Sequence, residues 1–490
     1  MRLLSLASGA LLASILVLSA CQQKNKQIWR DDNSIHPKAP CVKSTDNNSD
    51  FSYALCKVGP SVVGVEAYYV PQVREDFSVT EPSESDFPEE GNESAMVGAG
   101  IILDKKGYII TNSHVVLGSN AIKITLMDKR VFVAKVVGID TVSDLALLKI
   151  NAKHLVSAPI TDLKKLKVGT PVAALGAPFG FQFTLTSGII SAKNRILTDD
   201  DALIPYLQTD AAINEGSSGG PLFTSEGEIV GVNAQIYSRT GGFVGIAFAI
   251  PIDVVLHVAE QLRTLGRIDR VQLGVKADAL SEELARTFQR NNAEGALVLD
   301  VVGGSQGKDS LEVGDIILAI NQQKIEGPED LTSILTLAHP GQILYIEVWR
   351  QGKDHRLMIT LHERGVSPLP RGNDAPHLPM RNDFAPQEIA AVEGIDLGLV
   401  QPNQELMAYY HLHNGLQIAS IGKKAEALGF ALGDIIVKVG NQFIASSDQL
   451  ASALQKEDQV PIFLLRHGQP IFIPYNKTRL THLQEDNEES

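Results

Sequence analysis

The sequence predicts a mainly β chain: a first half of many short strands followed by two copies of a small α+β module. Three observations carry this. Residues 58–262 are a series of short β-rich runs broken by glycine, such as Ser61-Val62-Val63-Gly64-Val65 and Tyr108-Ile109-Ile110, and many short strands with closely spaced turn signals build barrels or sandwiches. Second, Gly314-Asp315-Ile316-Ile317-Leu318-Ala319-Ile320 recurs as Gly433-Asp434-Ile435-Ile436-Val437-Lys438-Val439. Each copy follows an apolar run (Gly295-Ala296-Leu297-Val298 or Gly415-Leu416-Gln417-Ile418) and precedes a helix-like stretch holding Asp330-Leu331 or Asp448-Gln449-Leu450. A unit of about 90 residues is too long for a solenoid repeat. Third, residues 364–386 between the copies hold prolines 368, 370, 376, 379 and 386, the composition of a stiff, extended linker.

The elements follow in order. Met1-Arg2 and the apolar run Leu3–Leu18 read as an export signal, too short for a membrane span. It ends Leu18-Ser19-Ala20-Cys21, which resembles a bacterial lipobox, so residues 1–20 are expected to be removed and Cys21 acylated. Gln22 at the next position favours the outer membrane by the same resemblance. The other two cysteines, Cys41 and Cys56, form an even pair in an oxidising compartment and are expected to be disulfide-bonded within a segment 21–57. The β-rich domain takes 58–266. Its end is marked by Val254, Val255, Val258 and Leu262 at helical spacing, then Gly266 as a helix stop. The first module takes 267–363, the linker 364–390, the second module 391–476 and an acidic tail 477–490.

The 490 residues suffice for about three domains. With 44% hydrophobic and 20% charged residues the composition is that of an ordinary globular protein, and the formal net charge is −14. That balance argues against nucleic acid, whose phosphates need clustered Lys and Arg. Residues 74–93, with eight acids against one arginine, and the end Glu485-Asp486-Asn487-Glu488-Glu489-Ser490 read as solvated segments.

The most specific chemical signal is Asn214-Glu215-Gly216-Ser217-Ser218-Gly219-Gly220-Pro221. A serine on a glycine-rich tight turn lets the backbone approach a substrate closely. The N–H groups of Gly216 and Ser218, around Ser217, are positioned to form an oxyanion hole. A serine hydroxyl is a poor nucleophile without a base, and Thr111-Asn112-Ser113-His114 supplies His114 after an apolar strand. The orienting carboxylate is expected to be Asp144, opening the strand Leu145-Ala146-Leu147-Leu148, because an acid there is costly to bury without a partner. Asp140 is the competing candidate. The order His, Asp, Ser is that of chymotrypsin, which implies two six-stranded barrels with the three side chains in the cleft between them.

On TNSHVV, SDLALLKI, LGAPFG, TLTSGIIS, LQTDAAIN, GSSGGPL and GIAFAIP, spread through residues 55–475, the chain resembles the HtrA family of bacterial envelope proteases, on the DegP and DegQ branch. The resemblance implies a chymotrypsin-like double β-barrel protease domain and two PDZ domains. It implies an ATP-independent serine endopeptidase acting on unfolded or misfolded envelope proteins, with no cofactor and no metal. Ser217 stands where the family has Asn, so no acid there can order the oxyanion turn through a new N-terminus. Arg195 matches the family's sensor loop, and Ile213 and Ile246 match S1-pocket positions, which implies a small apolar P1 residue. Gln272-Leu273-Gly274-Val275 and Asp396-Leu397-Gly398-Leu399 match the loops that capture a peptide's C-terminal carboxylate. Departures at Gly303-Gly304-Ser305-Gln306-Gly307 and at Lys423-Lys424 leave open whether each module binds peptide. By the same resemblance the partners are unfolded polypeptides, C-terminal peptides, a membrane reached through the lipid, and further copies as trimers or multiples of trimers. The alternative is a periplasmic chaperone or scaffold with little proteolysis, supported by the two modules and the altered Ser217.

Overall fold

The structure, a computed structural model, describes residues 41, 50–68, 96–177, 183–197, 204–214, 216–236, 242–301, 310–364, 390–392, 395–410 and 412–478. The signal segment, Cys21, the acidic stretch 74–93, Gly303–Gly307, most of the Pro-rich linker and most of the acidic tail lie outside these residues. Two compact units emerge, one of Met1–Asp269 with Thr332–Leu337 and one of Arg270–Leu331 with Ala338–Ser490.

The first unit contains two closed six-stranded antiparallel barrels. Strands β1 (Val62–Tyr68), β2 (Met96–Ile102), β3 (Tyr108–Thr111), β4 (Ala121–Leu126), β5 (Val131–Asp140) and β6 (Leu145–Lys149) close in the order β1-β2-β3-β6-β5-β4. Strands β7 (Pro171–Gly176), β8 (Thr184–Arg195), β9 (Tyr206–Thr209), β10 (Pro221–Thr224), β11 (Ile229–Ile236) and β12 (Ala247–Pro251) close as β10-β11-β12-β9-β8-β7. Strand β6 shows why its sequence is apolar without alternation. Leu145 and Leu147 join the core cluster shared by both barrels, while Ala146 and Leu148 join the interior of the first barrel. A strand with core on both faces has no polar side to show. The shared cluster is completed by Phe223, Ile250 and the inner face of the helix Ile252–Leu265. Each such large side chain contributes about 1.5–3 kcal/mol when fully buried. The helix stops where expected, at Gly266 with φ +70°, in a left-handed cap whose N–H bonds to the Leu262 carbonyl. Ahead of the barrels, the helix Ser52–Val58 buries Ala54 and Val58, and Cys56 is disulfide-bonded to Cys41 with a Cα–Cα distance of 5.8 Å.

The second unit holds the two modules. In the first, β14 (Val275–Ala279), β15 (Ala296–Val301), β16 (Ile316–Ile320), β18 (Ile343–Arg350) and β19 (Lys353–Thr360) pair in that order. Strand β17 (Gln323–Lys324) lies on β16, and β13 (Val271–Gln272) pairs with β20 (His362–Glu363). In the second, β21 (Ala390–Val392), β22 (Leu397–Val400), β23 (Leu416–Ile421), β24 (Ile435–Val439), β26 (Gln459–Arg466) and β27 (Gln469–Asn476) do the same, with β25 (Gln442–Phe443) on β24. The repeated Gly-Asp-Ile-Ile acquires a physical reason. Asp315, fully buried, accepts from Arg350 Nε at 2.6 Å and Nη2 at 2.7 Å, and Asp434 accepts from Arg466 in the same way at 3.0 and 2.8 Å. A buried carboxylate is tolerated when a two-pronged guanidinium satisfies it. The pairing holds each guanidinium in its charged form, Arg350 through Asp315 and Arg466 through Asp434. The two modules also pack on each other. Phe288 of the first meets Phe472 of the second edge to face at 5.4 Å, and Lys276 Nζ donates to Gln469 Oε1 at 2.6 Å.

Candidate active site

His114 lies in the single helical turn Ser113–Val116 that follows β3, and Asp144 in the turn between β5 and β6. Five hydrogen bonds tie these two turns. Asp144 Oδ2 pairs with His114 Nδ1 at 2.8 Å, while Oδ1 accepts from the His114 N–H at 3.0 Å and the Ser113 hydroxyl at 2.8 Å. The Asp144 carbonyl accepts from the Ser113 N–H at 3.1 Å and Asn112 Nδ2 at 2.8 Å. A carboxylate on Nδ1 keeps the proton there and leaves Nε2 as the basic nitrogen. Asp144 reaches this geometry with φ +52°, a left-handed conformation that Asp and Asn tolerate better than most residues. The competitor, Asp140, is turned elsewhere: its buried carboxylate accepts from the Ser143 N–H at 3.0 Å and from the Ser143 hydroxyl. It shapes the turn that presents Asp144.

Ser218 is held at the seam between the barrels. Its carbonyl accepts from Ala99 N in β2, and the next N–H, of Gly219, donates to Asn233 O in β11, at 2.8 and 2.9 Å. Gly219 has φ +83°, and a Cβ there would stand 2.2 Å from the Ala99 carbonyl and 2.4 Å from Thr111 Oγ1. Only glycine lets the nucleophile turn approach the strand that leads into His114. Gly216, with φ +87°, opens the turn, and its carbonyl accepts from Ala177 N at 3.0 Å. Among the described residues neither the Gly216 nor the Ser218 N–H has an acceptor, and the Ser218 hydroxyl has no hydrogen-bond partner. Serine–histidine contacts often tighten only when substrate binds.

Two residues of this region carry no signal of their own in the sequence. Asn233, fully buried in β11, donates from Nδ2 to the carbonyls of Pro221 at 3.2 Å and Ser217 at 3.5 Å, and its N–H donates to Gly220 O at 2.8 Å. It grips both sides of the serine turn. Tyr206 in β9 has its phenol pushed up to about 12 by burial and, second, by the negative charge of Asp144.

The other expected residues are more dispersed. Ile213 is buried in the core of the second barrel, and Ile246 is half-buried just before β12. Arg195 ends β8, exposed, directly across the strand pair from Tyr206. Among the described residues no group of His, Cys, Asp or Glu is arranged to hold a metal ion, and no helix is long and apolar enough to cross a membrane.

Residues 98–232 match the trypsin-like peptidase domain and residues 266–349 the PDZ domain. Over 388 residues, the chain is 37% identical to a probable periplasmic serine endoprotease, DegP-like, of Halomonas elongata, covering 78% of this chain and 79% of that protein. The chain belongs to the HtrA family of serine endoproteases. A protein of the same description from Pseudomonas fulva is 36% identical over 413 residues, covering 83% of this chain and 84% of its own. Among solved structures, the HtrA-type protease AlgW with tripeptide superposes with a TM-score of 0.52 at 31% identity, covering 65% of this chain and 98% of that one.

Within the HtrA frame, strand register corrects the expected second carboxylate loop. Val275 of β14 pairs with Val301 and Leu397 of β22 with Ile421, and in both modules a bulge follows one residue later, after Lys276 and after Gly398. The counterparts of Leu273-Gly274-Val275 are therefore Ile395-Asp396-Leu397, two residues before the string Leu397-Gly398-Leu399 that resembles them. Leu273 and Ile395 are both buried, and Gly274 and Asp396 both have positive φ, +74° and +54°. The Leu-Gly-Leu string instead forms β22 itself.

Proposed function

We propose that Ser218, His114 and Asp144 carry out peptide-bond hydrolysis in this chain. The Ser218 oxygen attacks the scissile carbonyl while His114 Nε2 takes its proton. Asp144 holds the Nδ1 proton and stabilises the imidazolium. The carbonyl oxygen, now an oxyanion, is received by the Gly216 and Ser218 N–H groups of the turn around Ser217. His114 returns the proton to the leaving amine, and a water repeats the sequence to release the acyl group. The observation that supports this best is the five-bond clamp between the His114 and Asp144 turns, set against a serine turn that only Gly219 permits.

The substrates are unfolded or misfolded polypeptides of the bacterial periplasm, reached without ATP and cleaved after small apolar residues that Ile213 and Ile246 select. The PDZ domains capture C-terminal peptides, and Arg195 relays their occupancy to the serine turn. Lipid on Cys21 anchors the chain at the outer membrane, and the working form is a trimer or a multiple of trimers.

The test is cleavage of reduced, permanently unfolded casein by the purified protein beside Ser218→Ala. Cleavage by the first alone supports the proposal. Cleavage by neither, with casein aggregation suppressed, would favour the chaperone reading.

A further inference from the structure

The two modules differ at one sheet edge. In the first, β14 pairs with β15 on one side and with no described strand on the other. In the second, the matching strand β22 pairs with β23 on that inner side and with β21 on the outer side. Strand β21 consists of residues 390–392, directly after the Pro-rich linker. It runs antiparallel to β22, Ala390 opposite Leu399, Ala391 opposite Gly398 and Val392 opposite Leu397. Its Cα trace also touches the helix Ser447–Lys456.

Burial agrees with pairing. All four residues of β22 are buried, whereas β14 leaves Lys276, Asp278 and Ala279 exposed and Val275 and Ala277 half-buried. Among the described residues, the same strand of the same fold is thus open in one module and covered in the other.

We propose that residues 390–392 are a built-in ligand of the second module, competing at the edge of β22 with the peptides that the module would otherwise capture. A peptide captured by strand addition joins an unpaired sheet edge, and one whose terminal carboxylate is held in the loop preceding the strand runs antiparallel to it. Strand β21 takes that edge in that direction, its C-terminal end leading through residues 393–396 into β22. A segment tethered by four residues acts at an effective concentration in about the millimolar range. A free peptide therefore meets the second module only in the fraction of molecules whose β21 has detached, and its apparent affinity falls by that fraction. The inference deepens the peptide-capture reading above and rests on it for the ligand's chemistry.

The experiment is residue-resolved hydrogen–deuterium exchange on the full chain and on a double variant, Ala390→Pro with Val392→Pro, since proline removes ladder donors and disfavours strand pairing. In the wild type, the outward N–H groups of residues 397–399 are expected to exchange at least about tenfold slower than those of residues 275–277, and the variant to lose that difference. Equally fast exchange at both edges of the wild type would overturn the proposal. This comparison needs no variant, so it stands even if the double variant does not fold. A fluorescein-labelled decapeptide with apolar last residues and a free C-terminal carboxylate adds a second readout. One peptide bound per wild-type chain and two per variant chain are expected, with the C-terminal amide as control. Two per wild-type chain would overturn the self-occupied edge. No binding to either form, with the exchange pattern intact, would reject peptide capture and leave the covered edge standing.

Discussion

Asp144→Asn isolates the role of the carboxylate from its geometry. Asp144 Oδ1 accepts two hydrogen bonds, one from the His114 N–H, a group that can only donate. The amide oxygen of an asparagine must take that position, since its NH2 would there confront another donor. The NH2 then faces His114 Nδ1, which the Asp144 Oδ2 occupies at 2.8 Å in the native chain. Nδ1 becomes an acceptor, the imidazole proton moves to Nε2, and Nε2 can no longer receive the Ser218 proton. The backbone is spared, because asparagine tolerates the φ of +52° at this position. In serine proteases that use the same relay, this change lowers kcat about ten-thousandfold, equivalent to about 5 kcal/mol of transition-state stabilisation. The assay is steady-state hydrolysis of a fluorogenic peptide at pH 7, with kcat expected to fall by that factor and KM to hold. Asp140→Asn is the control. It loosens the Ser143 turn, lowering stability by about 1–2 kcal/mol, and leaves kcat within a few-fold. A loss under about tenfold for Asp144→Asn, or an equal loss for Asp140→Asn, would refute the assignment of tautomer control to Asp144.

Further outcomes are expected elsewhere. Asn233→Ala removes the donor that grips the Ser217 and Pro221 carbonyls; kcat should drop about tenfold with KM unchanged, since about 1–3 kcal/mol is at stake, and an unaltered kcat would leave Asn233 a purely structural residue. Ile246→Gly should widen the cleavage profile toward larger P1 residues, read by mass spectrometry of casein fragments. For Tyr206 the folded state favours the neutral phenol, its pKa moving from 10.0 to about 12. The stability this gives is complete below pH 10 and is lost as pH rises through 12, so unfolding free energy should fall by about 2 kcal/mol across that window, and Tyr206→Phe should flatten the decline. Cys56→Ser opens a disulfide spanning 15 residues and should lower stability by about 3 kcal/mol in the chain-entropy account, measured by urea denaturation.

The three reacting side chains are legible because each sits in a local pattern that physics restricts. Ser218 needs glycines about it, Asp144 opens an apolar strand that would not otherwise accept a charge, and His114 follows a strand whose end is marked by polar residues. Strand existence and the helix stop at Gly266 are legible for the same reason, as glycine and apolar periodicity act on neighbours in sequence. Asn233 is not legible, because in the sequence it is one polar residue in a strand, and its meaning comes from lying across a sheet from the serine turn. The partners Asp315–Arg350 and Asp434–Arg466 are likewise separated by 35 and 32 residues.

The second carboxylate loop shows the limit most sharply. Leu397-Gly398-Leu399 looks like Leu273-Gly274-Val275, yet pairing to β23 and the shared bulge place Asp396, not Gly398, at the positive-φ position. A tetrapeptide likeness weighs only local identity, whereas register is set by hydrogen bonds and burial along a whole strand. The sequence alone determined the fold class and the three residues proposed for the chemistry, since those depend on short-range patterning and on residue types that few other roles require. The tertiary structure alone decided which donors hold the serine turn and that β21 covers the edge of β22. Both are contacts between distant segments, and their free energy comes from closure of the barrels and sheets as wholes.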